Sequence, residues 1–252
     1  MTPPLVLAYH GLADLPYELD PDGLLVPPTA FRAHIERLRS RGYRFVKQAE
    51  LARRLGAGEA IDGLCSLTFD DAPEDNVRLP ALLDELDAAA TVYACPGLLG
   101  EPYPFVASEA GVRIVTRDEL VGLGGHPRVE IGSHTMEHRN LGEAGADEAY
   151  REMVRSKEAL EDMLGRSVIS FAYPYCEYSP DCPEAARRAG YTSAVTCGER
   201  GRWEPFELIR QSPSPGDGRL TFELKSRGLF FRVRRSPPAR LARRVLRPLR
   251  YR

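Results

Sequence analysis

Two adjacent carboxylates and two histidines four residues apart carry most of the chemistry open to this chain. The carboxylates, Asp70-Asp71, follow the run LCSLTF (Leu64 to Phe69). The histidines, His134 and His138, stand at the end of VEIGSH and just beyond it. On a helical turn an i, i+4 pair presents both imidazoles to the same side, as two metal ligands require. A solvated pair on a helix surface has the same spacing, so HxxxH alone decides nothing. Adjacent residues leaving a strand point in different directions, so one aspartate can bind a cation while its neighbour faces the bound water. Two neighbouring carboxylates buried at a strand end are costly without a cation or hydrogen bonds. The plainer alternative is that they cap the helix that follows. An Asp/His/His set with open positions suits one catalytic divalent ion, zinc first and nickel or cobalt after it.

These residues must be positioned by something, and the chain alternates strand-type and helix-type runs for most of its length. Strands are expected at LVLAYH (Leu5 to His10), LCSLTF, ATVYAC (Ala90 to Cys95), VEIGSH, VISFAYP and TSAVTC. Helices are expected at TAFRAHIERLRSRG, with Thr29 as N-cap and Gly42 past its end, and at DEAYREMVRSKEALEDMLG, with an Asp N-cap and a Gly stop. EDNVRLPALLDELDAA reads as a helix that Pro80 kinks or splits in two. A further helix is expected around Glu184–Ala189, and Ser212 to Gly218 reads as a loop. Repeated strand–helix alternation implies parallel strands joined by crossover helices, hence an α/β sheet or barrel. In such folds reactive groups gather at the carboxyl ends of the strands. Tyr9-His10, Asp70-Asp71, His134 and Tyr173-Pro174-Tyr175 all fall at such ends.

The 252 residues, 43% hydrophobic and 28% charged, fit one large domain with a sizeable core and exclude wholesale disorder. No window approaches the roughly 18 consecutive apolar residues that cross a bilayer. The N-terminus MTPPLVLAYHGL has no basic segment ahead of its short apolar run, so no secretory signal is expected. Five cysteines, scattered and without CxxC spacing, predict reduced thiols in a cytoplasmic protein. The net charge of −2 hides an asymmetry: residues 232–252 hold nine arginines and no acid, so the rest of the chain carries −11. An acidic body argues against nucleic acid as a partner. The expected organisation is a domain over 1–231 and a basic tail over 232–252. The tail interleaves Leu241, Val245, Leu246 and Leu249 with its arginines, so it fits peripheral contact with an anionic membrane or, equally well, a solvated arm or one docked on the acidic body.

TFDD at 68–71, SHTMEH at 133–138 and FAYPY at 171–175, in this order, resemble the polysaccharide deacetylases with the NodB homology domain, carbohydrate esterase family 4. YHGL, RGYRFV and GYTSAVT extend the resemblance over roughly residues 4–230. It implies an irregular (β/α) barrel that removes acetyl groups from N-acetylglucosamine polymers or from acetyl esters. Carried over by motif, Asp70 is the general base, and Asp71, His134 and His138 are the metal ligands. The Tyr175 N–H joins the ion in stabilising the oxyanion, and Tyr173, Pro174 and Cys176 form the substrate-binding loop around it. The chain departs from the family at Ala72 and Cys176, where glycine is usual, and at Ala172, where an arginine usually orients the base. No histidine follows His138, although the acid for the leaving amine usually lies there. The departures point to members resembling the poly-N-acetylglucosamine deacetylases, whose motif order is rearranged and whose acid histidine sits in an N-terminal YH context. Tyr9-His10 matches it, which makes His10 the expected general acid.

The expected function is therefore metal-dependent removal of N-acetyl groups from an amino-sugar saccharide. The alternatives are an O-acetyl esterase, a deacetylase of a small glycosylated metabolite, or a non-catalytic sugar-binding module on a decayed deacetylase fold. His34 is expected to pack on a helix face or to face water, and His126 to lie in a loop that, if near the site, touches sugar. Trp203 and Tyr103 read as packing residues first and sugar-stacking residues second.

Overall fold

The computed structural model describes residues 2–198 and 201–230, together with Val233. The arginine-rich tail expected from 232 onward lies, Val233 aside, outside them. Eight parallel strands form one sheet: β1 (Leu5–Tyr9), β2 (Arg44–Val46), β3 (Leu64–Asp70), β4 (Ala90–Ala94), β5 (Val129–Ser133), β6 (Ser170–Ala172), β7 (Ser193–Cys197) and β8 (Leu208–Arg210). The order is β1-β3-β4-β5-β6-β7-β8, with β2 pairing the first half of β3 at Leu64–Ser66, ahead of the β4 register at Leu67–Asp70. Just past β8, Gln211 bridges Leu7 of β1, with hydrogen bonds from Ala8 N to Gln211 O and from Gln211 N to Val6 O. That bridge nearly closes the sheet into a barrel.

Residues along each strand alternate between two environments, as a period of two requires. Leu5, Leu7, Cys65, Leu67, Phe69, Val92, Ile131 and Phe171 join the main hydrophobic core. The alternate positions Ser66, Thr68, Asp70, Thr91, Glu130, Ser170 and Arg210 are polar, and all of them but Ser66 bond to another of the set. Thr91 and Ser170 donate to Glu130 at 3.0 and 2.6 Å, and Arg210 donates to Thr68 at 3.1 Å. The barrel interior thus mixes paired polar groups with the apolar residues Val6, Ala172, Val195 and Leu208.

The helices close the apolar side. In α1 (Pro28–Ser40) the stripe Phe31, Ile35 and Leu38 is buried. The helix starts one residue before the expected Thr29 cap, with Pro28 in the first turn, where proline's missing N–H costs nothing. The segment around Pro80 is split, as one of the two sequence alternatives had it: a 3-10 turn at Glu74–Arg78 and then α3 (Leu79–Glu85), with the proline in its first turn. In α5 (Ala146–Leu164) a stripe of Ala149, Met153, Ser156 and Leu160 packs inward and Gly165 ends the helix at φ +64°. Its N-cap is Gly145 rather than the expected aspartate, because Asp147 already lies inside the first turn. Beyond the expected elements the fold adds α2 (Gln48–Gly56), α4 (Arg117–Gly125), α7 (Arg219–Ser226), β2 and β8; α6 (Cys182–Arg188) covers most of the helix expected near Glu184. Among the described residues no helix is long and apolar enough to cross a membrane.

The reduced state expected of all five cysteines is corrected by the fold. Cys176 and Cys197 form a disulfide with Cα atoms 5.3 Å apart, while Cys65, Cys95 and Cys182 are free and buried. Parallel pairing of β6 with β7 brings residues 21 positions apart to neighbouring strand ends, a proximity that spacing along the chain does not display. The thiol argument for a cytoplasmic compartment falls with it.

Candidate active site

Asp70 is the last residue of β3, and its carboxylate is buried. Both its oxygens accept from Arg210 of β8, Nη1 to Oδ1 and Nη2 to Oδ2, each at 2.7 Å. Burial alone would raise this carboxyl's pKa, but the Arg210 charge and hydrogen bonds, helped by His134 and His10, hold it well below the usual carboxylate range. Arg210 is only 1% exposed, so the pair is a desolvated, bidentate one.

At Asp71 the backbone turns out of the strand with φ +66°, and the side chain leaves in a different direction. Its Oδ2 accepts from the Tyr103 hydroxyl at 3.0 Å. Its Oδ1 lies 3.6 Å from His134 Nε2 and 3.3 Å from His138 Nε2 and has no hydrogen-bond partner among the described residues. The ligand atoms of Asp71, His134 and His138 all fall within 4.8 Å of one another, and all three residues are buried. His134 Nδ1 donates to the Ala172 carbonyl at 2.8 Å, which fixes the tautomer and leaves Nε2 as an acceptor. Burial holds the His134 pKa down to about 4 against the pull of Asp70, and burial together with His134 holds His138 to about 3. Both rings are therefore neutral donors of lone pairs near pH 7. Three acceptor atoms converging on one buried point, one of them a carboxylate oxygen with no other partner, fit a divalent cation.

The expected helical turn for the histidine pair is corrected: residues 134–138 are a loop, not a helix. The rings converge, at a centroid separation of 4.8 Å, because Thr135 and His138 take φ of +68° and +58°. The loop is tied by Met136 N–H to Glu152, by Arg139 N–H to Thr135 Oγ1, and by Gly97 N–H to the Met136 carbonyl. A Cβ at Gly97 would lie 2.7 Å from that carbonyl, so only glycine permits the approach.

The cavity at this end of the barrel has a volume of about 260 Å³, and its walls include His10, Asp70, Asp71, His134, His138 and Tyr175. Burial lowers the His10 pKa from the ordinary histidine value, partly offset by the Asp70 charge. Tyr173 and Cys176 also reach this wall, whereas Pro174 is buried off it. The Tyr173 hydroxyl donates to Phe206 O at 3.1 Å and its ring stacks on Tyr178, so it supports the wall. Tyr175 is 57% exposed, edge-on to His138 at 4.6 Å, with Phe105 beside both. A larger cavity of about 590 Å³ opens at the amino ends of the strands among Lys47, Glu130 and Arg166, away from these groups. Seven non-glycine residues among those described have positive φ, and Asp71, Ala72, Thr135, His138, Tyr175 and Cys176 are six of them. Backbone strain is thus concentrated around this cavity, as at functional sites generally.

The sequence profile of the polysaccharide deacetylase family matches residues 57–194. The chain belongs to the polysaccharide deacetylase family. Among curated relatives of this family, the chain is 26% identical over 216 residues to YxkH of Bacillus subtilis, covering 84% of this chain and 71% of that one. It is 27% identical over 142 residues to the chitooligosaccharide deacetylase of Azorhizobium caulinodans, covering 55% and 60%. The solved structure of the Streptococcus pyogenes deacetylase PplD, in complex with acetate, superposes with a TM-score of 0.72 at 24% identity over 88% of this chain and 97% of that one. The last likeness establishes the deacetylase barrel fold.

Two residues that matter here were not singled out from the sequence for what they do. Arg210 stands in the short run Leu208-Ile209-Arg210, and its one signal was a lone cation in an apolar strand. It pairs with Asp70 from β8, whereas Ala172 on β6 carries no group that could. Tyr103, read first as packing, is buried and bonded to Asp71. His34 packs as expected, stacked on Phe222 at 3.9 Å and bonded to Tyr9, and His126 caps α4 beside Asp84.

Proposed function

We propose that this chain removes N-acetyl groups from an amino-sugar saccharide, with one divalent ion held by Asp71, His134 and His138. The supporting observation is the meeting, at one small cavity, of that buried acceptor triad, the ionised Asp70 and His10. Two imidazoles and a carboxylate with room for further ligands suit zinc best, with nickel and cobalt as alternatives. A divalent ion bound there supplies Lewis-acid polarisation of the acetyl carbonyl and acidifies water beside it.

The chain's own groups do the rest. Asp70 takes a proton from the attacking water, and Arg210 keeps it ionised and aimed. That ionisation costs basicity, so Asp70 acts through position more than through strength. The Tyr175 N–H donates to the oxygen on which charge develops. His10, on the same wall, gives a proton to the departing amine. The exposed ring of Tyr175 with Phe105 offers an aromatic edge against which a sugar face packs. The arginine-rich tail remains, in this reading, a candidate for contact with an anionic surface.

An acetate-release screen over acetylated hexosamine oligomers, with Zn²⁺, Co²⁺ and Ni²⁺, tests this. Acetate should appear with metal and vanish with Asp71→Ala, which also loses the ion. His10→Ala should keep the ion and lose most amide hydrolysis while sparing an activated acetyl ester, whose leaving group needs no proton. A stoichiometric ion with no acetate from any acetylated sugar would favour a sugar-binding module instead.

A further inference from the structure

The Cys176–Cys197 disulfide lies in the wall of the active-site cavity, and nothing in the reaction described above uses it. Cys176 directly follows Tyr175, and both hold the left-handed backbone conformation, with φ of +57° and +56°. Two successive side-chain-bearing residues in that region need outside constraint, since L-residues disfavour it. Within the loop, Cys176 N–H donates to Tyr173 O at 3.1 Å and Glu177 N–H to Pro174 O at 3.0 Å. Toward β7 it is held by Tyr173 N–H, which donates to Val195 O at 3.1 Å, by Thr196 Oγ1, which donates to Cys176 O at 3.3 Å, and by the disulfide to Cys197 at the strand's end. Among the described residues the disulfide is therefore the one covalent cross-link that ties the strained loop to β7, beyond the chain's own continuity with β6.

We propose that this cross-link positions the Tyr175 amide and that its reduction loosens the oxyanion side of the site, making turnover redox-sensitive. The catalytic consequence rests on the role given to Tyr175 above; the ordering of the loop does not. A thiolate attacks one sulfur of the bond, releasing the other cysteine and forming a mixed disulfide, which a second thiol resolves. Two electrons pass from the dithiol to the protein, leaving two cysteine thiols and an oxidised dithiol. Both cysteines are part-exposed, so a small dithiol reaches them, while the other three are buried.

The test uses the full-length, metal-loaded protein, air-oxidised or treated with dithiothreitol that is then removed, with metal content measured afterwards. Thiol titration after denaturation should count three thiols in the oxidised protein and five in the reduced one, since the chain has five cysteines and one disulfide. On an N-acetylglucosamine tetramer, reduction should lower kcat about 10-fold with KM and metal content little changed, in line with a small displacement of a catalytic group. Oxidised glutathione should restore it. Cys197→Ala should sit at the lower kcat and ignore dithiothreitol. Independently of any turnover, hydrogen exchange of residues 173–178 should accelerate about 10-fold or more on reduction while β3 and β5 stay protected. Five thiols in the oxidised protein, or unchanged exchange in that loop, overturns the cross-link's role. Faster exchange with unchanged kcat overturns the catalytic consequence. Faster exchange with no acetate released in either state upholds the ordering of the loop and sinks the proposed function instead.

Discussion

Below about pH 8 Asp71 holds a proton that an incoming cation must displace. Burial and the neighbouring Asp70 charge, opposed by the Tyr103 hydrogen bond, push its pKa up to about 8 in the ion-free protein. The two histidines are already neutral near pH 7, their values pressed down to about 4 and 3. Ion binding near pH 6–7 should therefore release about one proton, and it should come from the carboxyl. Calorimetry in buffers of different ionisation enthalpy measures this; release should fade as pH rises past 8, and affinity should rise with pH up to that point. Two protons, or release centred near the ordinary histidine range, would show that the rings are not pre-neutralised. Tyr103→Phe removes the hydroxyl that orients Asp71 Oδ2 and should weaken the ion roughly 10–100-fold, the usual cost of losing a group behind a ligand. Direct titration of the ion reads this without any substrate. At this scale the legible residues were those whose spacing is local. Asp70-Asp71 and His134/His138 declare themselves within five positions, whereas Arg210 reaches Asp70 across 140 positions and Tyr103 reaches Asp71 across 32. Only the near-closure of the sheet into a barrel makes those contacts.

Elements were legible in proportion to their length and regularity. The strands at Leu5, Leu64, Ala90, Val129 and Ser193 are short, largely apolar or β-prone runs, and the long helix α5 follows a 3.6-residue period, signals strong enough to read directly. Three-residue strands such as β2 and β8 carry no period at all. The histidine loop shows the opposite failure. Its HxxxH spacing satisfies a helix, yet left-handed residues bring the rings together without one. Strand β5 also illustrates how one element shapes the next. Gly132 leaves a gap filled by the Tyr93 ring of β4, and a Cβ there would meet ring atoms at 2.4 and 2.5 Å and Ser170 Oγ at 2.8 Å. The ring is fully buried and sits beneath Arg210, whose guanidinium carbon is 5.8 Å from its centroid. Gly132→Ala should therefore cost about 1–3 kcal/mol as overpacking. It should also displace Tyr93 toward Arg210 and reduce turnover along with stability. Urea denaturation and acetate release, measured on the same preparation, check both. A neutral Gly132→Ala would mean that the barrel interior yields more easily than its packing implies.

In the whole molecule, the Asp70–Arg210 pair joins β3 to β8 across β1, which lies between them in the sheet. Its energetics follow from burial on both sides: side-chain exposure is 7% for Asp70 and none for Arg210. Desolvating two charges offsets most of their attraction, so the pair as a whole adds little to stability, whereas breaking it strands a charge. Arg210→Met should thus destabilise by about 3–5 kcal/mol. Asp70→Asn should also destabilise, because the guanidinium then loses its charged partner. The double substitution should recover much of the loss and give a large coupling in the cycle. The pH dependence carries the sign. Asp70 is depressed in the folded state, so its contribution is fully present above the unfolded carboxyl value, near 3.9, and is lost as pH falls through the folded one. Wild type should therefore lose more stability than the double variant as pH drops below about 4. Urea melts at pH 7 and at successively lower pH, with the ion removed by chelation so that metal loss does not contribute, measure this difference. If both proteins weaken in parallel on acidification, Asp70 is not held ionised by Arg210, and the base proposed for the reaction loses its anchor.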